Sequence, residues 1–206
     1  MTRPFLVLRL EPSGESFLKM HLLGPEDGLV LCLKRVSKKC SSNKPAPDLF
    51  DTADISLETS KQGTMQFVVD YHLIERRSEI GRNYRRLQRA SEFCQILALN
   101  ATHLPDLPAL YQLVTRCLDA FSERSTPDIV FLKSLYLLLR EEGYPVHQSW
   151  WSRLPKNLRP QTKLLIEQPS PEALDPSAAE ACNDAIRHLR QWLRQETDLI
   201  LPEPSA

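Results

Sequence analysis

The stretch Thr64-Met65-Gln66-Phe67-Val68-Val69-Asp70-Tyr71-His72-Leu73-Ile74 decides the reading of the first part of the chain. Met65, Phe67, Val69, Tyr71 and Leu73 alternate with Gln66, Asp70 and His72, and a period of two places the first set on one face of a half-buried strand. Working outward toward the N-terminus, four more short runs rich in strand formers precede it, at residues 5–10, 17–23, 29–34 and 52–58. Pro12-Ser13-Gly14, Gly24-Pro25-Glu26-Asp27-Gly28, a long polar loop and Ser60-Lys61-Gln62-Gly63 separate them. Five strands in about eighty residues fit a small barrel of the OB type.

Toward the C-terminus the period changes. Tyr84, Leu87, Ala90, Cys94, Leu97 and Ala98 recur at spacings of three and four, one face of a helix, with Arg82, Arg85, Arg86 and Arg89 largely off it. Pro105 and Pro108 end that helix and open another, carrying Leu107, Leu110, Val114, Cys117, Leu118 and Phe121 as its stripe. Thr126-Pro127 opens a third, which runs to Gly143 with Ile129, Leu132, Leu135, Tyr136 and Leu139 facing the core. Residues 150–176 are punctuated by proline and read as irregular, and Asp175-Pro176 starts a last helix buried through Cys182, Ala185, Ile186, Leu189 and Leu193. The expected class is α+β: a five-stranded OB-type β-barrel over residues 1–79, then an α-helical bundle over residues 80–206.

Composition narrows the functions. With 206 residues, 42% hydrophobic and 25% charged, the chain has the make-up of a globular protein able to bury a core. Twenty-six Lys and Arg balance 26 Asp and Glu, so a nucleic-acid site has to be a local patch. Six glycines and the absence of any G-x-x-x-x-G-K-[ST] or G-x-G-x-x-G exclude a phosphate-cradling P-loop. The five cysteines form no C-x-x-C pair and read as reduced thiols of a cytoplasmic protein. The apolar run after Met1 is interrupted at Arg9, too early for a signal peptide, and no stretch approaches the ~18 apolar residues that span a bilayer. Five scattered histidines, with no H-E-x-x-H, nucleophile elbow or telling carboxylate pair, point away from an enzyme and from a cofactor.

Charge is unevenly placed. Lys34, Arg35, Lys38, Lys39 and Lys44 stand together with no acid between residues 29 and 47, and Arg76, Arg77, Arg82, Arg85, Arg86 and Arg89 follow the barrel, opposed within that stretch by Glu79. OB folds hold nucleic acid on strands 2 and 3 and the adjoining loops, so the first cluster is the leading phosphate-binding candidate. An ordinary solvated loop is its bland counterpart, and exposed helix charges are the counterpart for Arg82, Arg85, Arg86 and Arg89. Phe67 and Tyr71 read as core residues. Phe17 shares its strand face with Lys19 and His21, and is the candidate base-stacking residue on the binding side. Trp150 and Trp151 read as helix-packing anchors.

Several stretches together resemble the bacterial RecO family of DNA repair and recombination mediators. They are Gly14-Glu15-Ser16, Pro25-Glu26-Asp27-Gly28-Leu29-Val30, Lys34-Arg35-Val36-Ser37-Lys38-Lys39, the strand pair around Phe50, Arg85-Arg86-Leu87 with Ala90-Ser91, and Glu142-Gly143-Tyr144-Pro145. The likeness runs in order over residues 5–147 and is a succession of weak motifs, with Arg35 standing where the family usually has glycine. Many members continue with a four-cysteine zinc module, but here no cysteine follows Pro145 until Cys182. The chain is thus either a zinc-less member or a divergent relative, with no metal ligands expected. The resemblance implies binding of single- and double-stranded DNA, annealing of complementary strands, and cooperation with the partner RecR and the single-strand-binding protein SSB in loading recombinase. The competing expectation is a protein-interaction adaptor of the repair machinery that does not hold DNA itself.

Overall fold

The computed structural model describes residues 2–36, 45–61, 63, 65–104 and 106–202. Five strands form a closed barrel: β1 (Arg3–Ser13), β2 (Phe17–Gly24), β3 (Gly28–Arg35), β4 (Thr52–Thr59) and β5 (Gln66–Glu75). Their order around the barrel is β1-β2-β3-β5-β4, with β4 returning to β1. Every pairing is antiparallel except β3 with β5, a short parallel seam at Cys32–Gln66 and Leu33–Phe67. The architecture is an OB-like barrel followed by helices, the α+β class expected from the sequence.

Phe5, Val7, Met20, Leu22, Cys32, Ala53, Ile55 and Tyr71 fill the barrel, and Leu10, Leu18, Val30, Leu57, Val68 and Leu73 pack against them. The face assignment of β5 needs correction. Pairing with β4 steps from Ser56–Asp70 to Leu57–Val68 and from Thr52–Glu75 to Ala53–Leu73, so Val69 and Ile74 are extra residues at β-bulges, both exposed. Each bulge reverses the alternation. Val68 therefore joins Tyr71 and Leu73 inside, while Phe67 shares no core contact with them.

A buried carboxylate closes one end of this unit. Asp51, with no exposed surface, accepts hydrogen bonds from Tyr71 Oη (2.6 Å), Arg76 Nε (3.0 Å) and Nη2 (2.7 Å), and the Asp48 amide (2.9 Å). Burial, together with Asp51, holds the Tyr71 phenol far above its ordinary range, so it donates at all working pH. Arg77, also buried, donates to the Phe50 carbonyl and Thr52 Oγ1 and pairs with Glu75, each at 2.9 Å.

The chain divides into two compact units, residues 1–78 with 101–115, and residues 79–100 with 116–206. Residues 101–115, placed in the helical domain by sequence, thus belong with the barrel. At Gly28, whose φ is +67°, an added Cβ would sit 3.1 Å from Leu107 Cδ2, which shows how closely this segment covers the β2–β3 turn.

The helices are α1 (Ser78–Gly81), α2 (Tyr84–Asn100), α3 (Leu107–Glu123), α4 (Pro127–Glu141), α5 (Trp151–Arg153), α6 (Arg159–Glu167) and α7 (Pro176–Glu196), with a π-turn at Val146–Trp150. In the second unit α4 is central: Ile129–Leu132, Ser134–Tyr136, Leu138 and Leu139 are all buried, against α2, α6 and α7. Asp175 caps α7 by accepting from the Ala178 amide (2.9 Å), whereas the Thr126 hydroxyl donates to the Pro171 carbonyl and does not cap α4. Helix α6 lies in the stretch read as irregular. Pro160 stands in its first turn and Pro169 just beyond its end, positions that punctuate a helix without breaking it.

Asp51→Ala leaves Tyr71 and Arg76 without their shared acceptor and should lower the unfolding free energy by about 3–5 kcal/mol, against about 1–2 kcal/mol for Tyr71→Phe, both read by urea denaturation. In the second unit Trp150 is 1% exposed against Tyr136, whereas Trp151 is only partly buried. Trp150→Ala should cost about 3–5 kcal/mol and Trp151→Ala clearly less; equal losses would contradict this packing.

Candidate nucleic-acid interface

Register decides which side chains share the outer wall of the barrel. Because β2 buries Met20 and Leu22, its Phe17, Lys19 and His21 point outward. Cross-strand partners share a face, so three ranks form: Ser13–Phe17–Arg35, Glu11–Lys19–Leu33–Phe67 and Arg9–His21–Leu31. Glu58, opposite Phe67, bounds the second rank on β4.

Two aromatic rings meet on this wall. The Phe17 and Phe67 centroids are 6.0 Å apart at 61°, an edge-to-face pair with both side chains half-buried. Leu31 adds an exposed apolar group two residues along β3 from Leu33. The expected placement of Phe17 beside Lys19 and His21 is what the register gives, while Phe67, expected in the core, joins Phe17 outside because of the bulge at Val69.

The predicted cations separate. Arg35 is exposed on the outer wall, with no acidic partner among the described residues. Lys34 alternates to the inner side after Cys32, and its Nζ lies 5.8 Å from the centre of the Tyr71 ring. Lys38, Lys39 and Lys44 lie outside the described residues. Lys19 reaches Glu11 at 3.3 Å. Glu11 also holds Arg9 at 2.6 Å and faces His21 Nε2 at 3.5 Å. Neither Arg9 nor Glu11 is a site candidate on sequence, and Glu11 falls beyond the expected end of the first strand at residue 10. That strand continues through Pro12 to Ser13, where Pro12 pairs with Leu18.

The arginines of α2 have structural partners. Arg89, expected off the apolar face, is buried: it binds Asp128 (2.7 Å) and Glu92 (2.9 Å) and lies over Phe131 at 4.9 Å. Tyr84, expected in the stripe, is instead 78% exposed. The buried side is Arg89, Ala90, Phe93, Cys94, Ile96, Leu97 and Asn100, rotated from the expected one. Arg85 binds Asp128 (3.0 and 2.7 Å) and Gln88, and Arg86 donates to the Ser122 carbonyl (3.0 Å). Arg82 is exposed and pairs with Glu79. Of the four, only Arg82 presents its guanidinium largely to solvent.

The thiols of Cys32, Cys94, Cys117 and Cys182 are buried. Burial pushes the Cys32 and Cys182 thiols up to about 12 and Cys117 up to about 11, which keeps them protonated near neutrality. No three His, Cys, Asp or Glu side chains gather to hold a metal ion, and no helix is long and apolar enough to cross a membrane, again among the described residues. Comparison of the chain with protein-family models and with curated proteins gives no match to either.

Titration of this wall has a definite sign. Burial lowers the His21 pKa below its ordinary 6.5, against the opposite pull of Glu11. At Glu11 burial acts upward, but Arg9, Lys19 and His21 outweigh it and the pKa falls below 4.5. Between the folded and unfolded pKa of each group the unfolded chain binds more protons, so stability rises with pH across both windows. Unfolding free energy should therefore decline as pH is lowered below about 6.5 and again below about 4.5. His21→Gln should remove the upper decline in a pH series of urea denaturation; superimposable profiles for the two proteins would contradict the assignment.

Proposed function

We propose that the chain binds single-stranded nucleic acid along the outer wall of β1, β2, β3 and β5, with Phe17 and Phe67 stacking bases and Arg35, Lys19 and the basic segment beyond Arg35 holding phosphates. The observation that carries this reading is the half-buried Phe17–Phe67 pair on a barrel wall, with Lys19 and Arg35 on its neighbouring positions. Rings accept any base face, and cations accept any phosphate, so recognition is tolerant of sequence. No covalent chemistry on the strand is required. A strand held by its backbone has its charge screened from a complement, which favours annealing. With the sequence resemblance to RecO, this supports a recombination mediator that binds single- and double-stranded DNA and works beside RecR and SSB.

A second reading, the adaptor that does not hold DNA, draws support from the helical unit. There a cavity of about 450 Å³ is lined by Lys133, Arg140, Lys163 and Glu167 around Tyr136, Leu137 and Trp151, with Glu167 4.0 Å from Lys163. Three cations against one acid in the lining, beside aromatic rings, suit an acidic peptide that ends in a large side chain.

The test is fluorescence anisotropy with labelled oligothymidylate. Phe17→Ala and Phe67→Ala should each weaken binding by about 1–3 kcal/mol. Arg35→Glu should weaken binding to all sequences alike and flatten the log–log salt slope by about 0.7. If none of the three variants changes affinity, the barrel-wall reading fails and the adaptor reading takes its place.

A further inference from the structure

Glu11 sits in the middle of a wall that the preceding reading assigns to a polyanion. Its two oxygens draw together Arg9 from its own strand and Lys19 and His21 from the adjacent one, at 2.6, 3.3 and 3.5 Å. Two cations from two strands converging on one oxyanion, with an imidazole nitrogen 3.5 Å away, is the arrangement expected of a phosphate site. Here the oxyanion belongs to the protein. Glu11, Lys19 and Arg9 keep solvent contact, at 28%, 35% and 41% exposed, while the His21 nitrogen that faces Glu11 is buried. None of the four belongs to the barrel core. Ion pairs of such exposure contribute little to stability, so a multivalent anion can displace Glu11 at small cost.

We propose that Glu11 is an internal stand-in for a nucleic-acid phosphate, which occupies Arg9 and Lys19 in the free protein and so sets the affinity of the barrel wall. This rests on the nucleic-acid reading of that wall. The bound strand exchanges one carboxylate for one or two phosphates, and the swap holds the site to moderate affinity and makes release easy. Phe17 lies one rank away, so a phosphate taking the place of Glu11 would leave its base beside the ring.

The experiment measures oligothymidylate affinity against salt for the intact chain and for Glu11→Gln, which keeps the side-chain shape. Affinity at low salt should rise about three- to tenfold, and the salt slope should steepen by about 0.7 for each cation released. In a chain already carrying Arg9→Gln and Lys19→Gln, Glu11→Gln should bring no comparable gain. An equal gain in that background would mean simple loss of negative charge and would overturn the proposal. Unchanged or weaker binding by Glu11→Gln, with Phe17→Ala and Arg35→Glu still impaired, would make the cluster a structural ion pair while leaving the wall reading intact. If Phe17→Ala and Arg35→Glu have no effect either, the wall reading itself has failed and this proposal falls with it.

Discussion

A single buried carboxylate governs how the barrel closes. The chain leaves β3 at Arg35 and must return to enter β4 between β1 and β5, and the turn that brings it back ends at Asp51. Val7 donates to the Asp51 carbonyl and accepts from the Phe50 amide, both at 2.9 Å, which stitches the returning chain to β1. Phe50 itself takes a positive φ of 66°, a conformation that an L-residue holds only where the surroundings impose it. The Asp51 side chain imposes it from the other direction, through Tyr71 and Arg76 on and just after β5. Arg76 also donates to the Ala46 carbonyl at 2.6 Å, so the incoming strand, the outgoing strand and the end of the basic segment share one anchor. A buried charge is expensive to hold unless it is paired and hydrogen-bonded, and here four donor groups bind it, three at Oδ2 and Arg76 Nε at Oδ1. The pair is better understood as a device that fixes one register than as a net source of stability.

The described residues on either side of 37–44 are each tied down. Val36 donates to the Ser16 carbonyl at 2.8 Å, next to Phe17, and the Asp48 amide donates to the Asp51 carboxylate at 2.9 Å. Arg35 stands in the same rank as Phe17. On the nucleic-acid reading, a cation that stands beside a stacking ring would hold the phosphate of the nucleotide whose base the ring engages, because phosphate and base of one nucleotide are covalently joined.

How much of this was legible in the sequence follows from what periodicity can see. Five strands are visible because each run is bounded by turn-forming residues, and the apolar stripes of α4 and α7 are visible because their apolar residues recur at spacings of three and four. The face of Phe67 is not. A bulge is one additional residue, and counting by twos carries its error to every position beyond it, so Val69 sends Phe67 outside while Tyr71 stays in. Arg89 escaped for a different reason: an arginine on the apolar side of a helix counts as surface until its partners are known, and Asp128 lies 39 residues away. Asp51 is hidden in the same manner, being one acid in a polar loop. Helix α6 was masked by prolines that stand at its ends.

The arginine run after the barrel shows why charge along a sequence differs from charge on a surface. Arg76 and Arg77 are tied to Asp51, Glu75 and the backbone around Phe50; Arg85 and Arg89 converge on Asp128, in the first turn of α4, and Arg86 holds a carbonyl at the end of α3. These groups act as internal ties of their respective units, and their charge is largely compensated where it stands. The cationic capacity of the described barrel wall then reduces to Arg35, Lys19 and Arg9, two of which face Glu11. A chain of zero net charge whose arginines are mostly paired exerts little long-range pull on a polyanion. On the nucleic-acid reading proposed above, contact with a strand would be won at short range, by ring stacking and by exchange of partners within the Glu11 cluster, so that the geometry of a few side chains would matter more than the total charge.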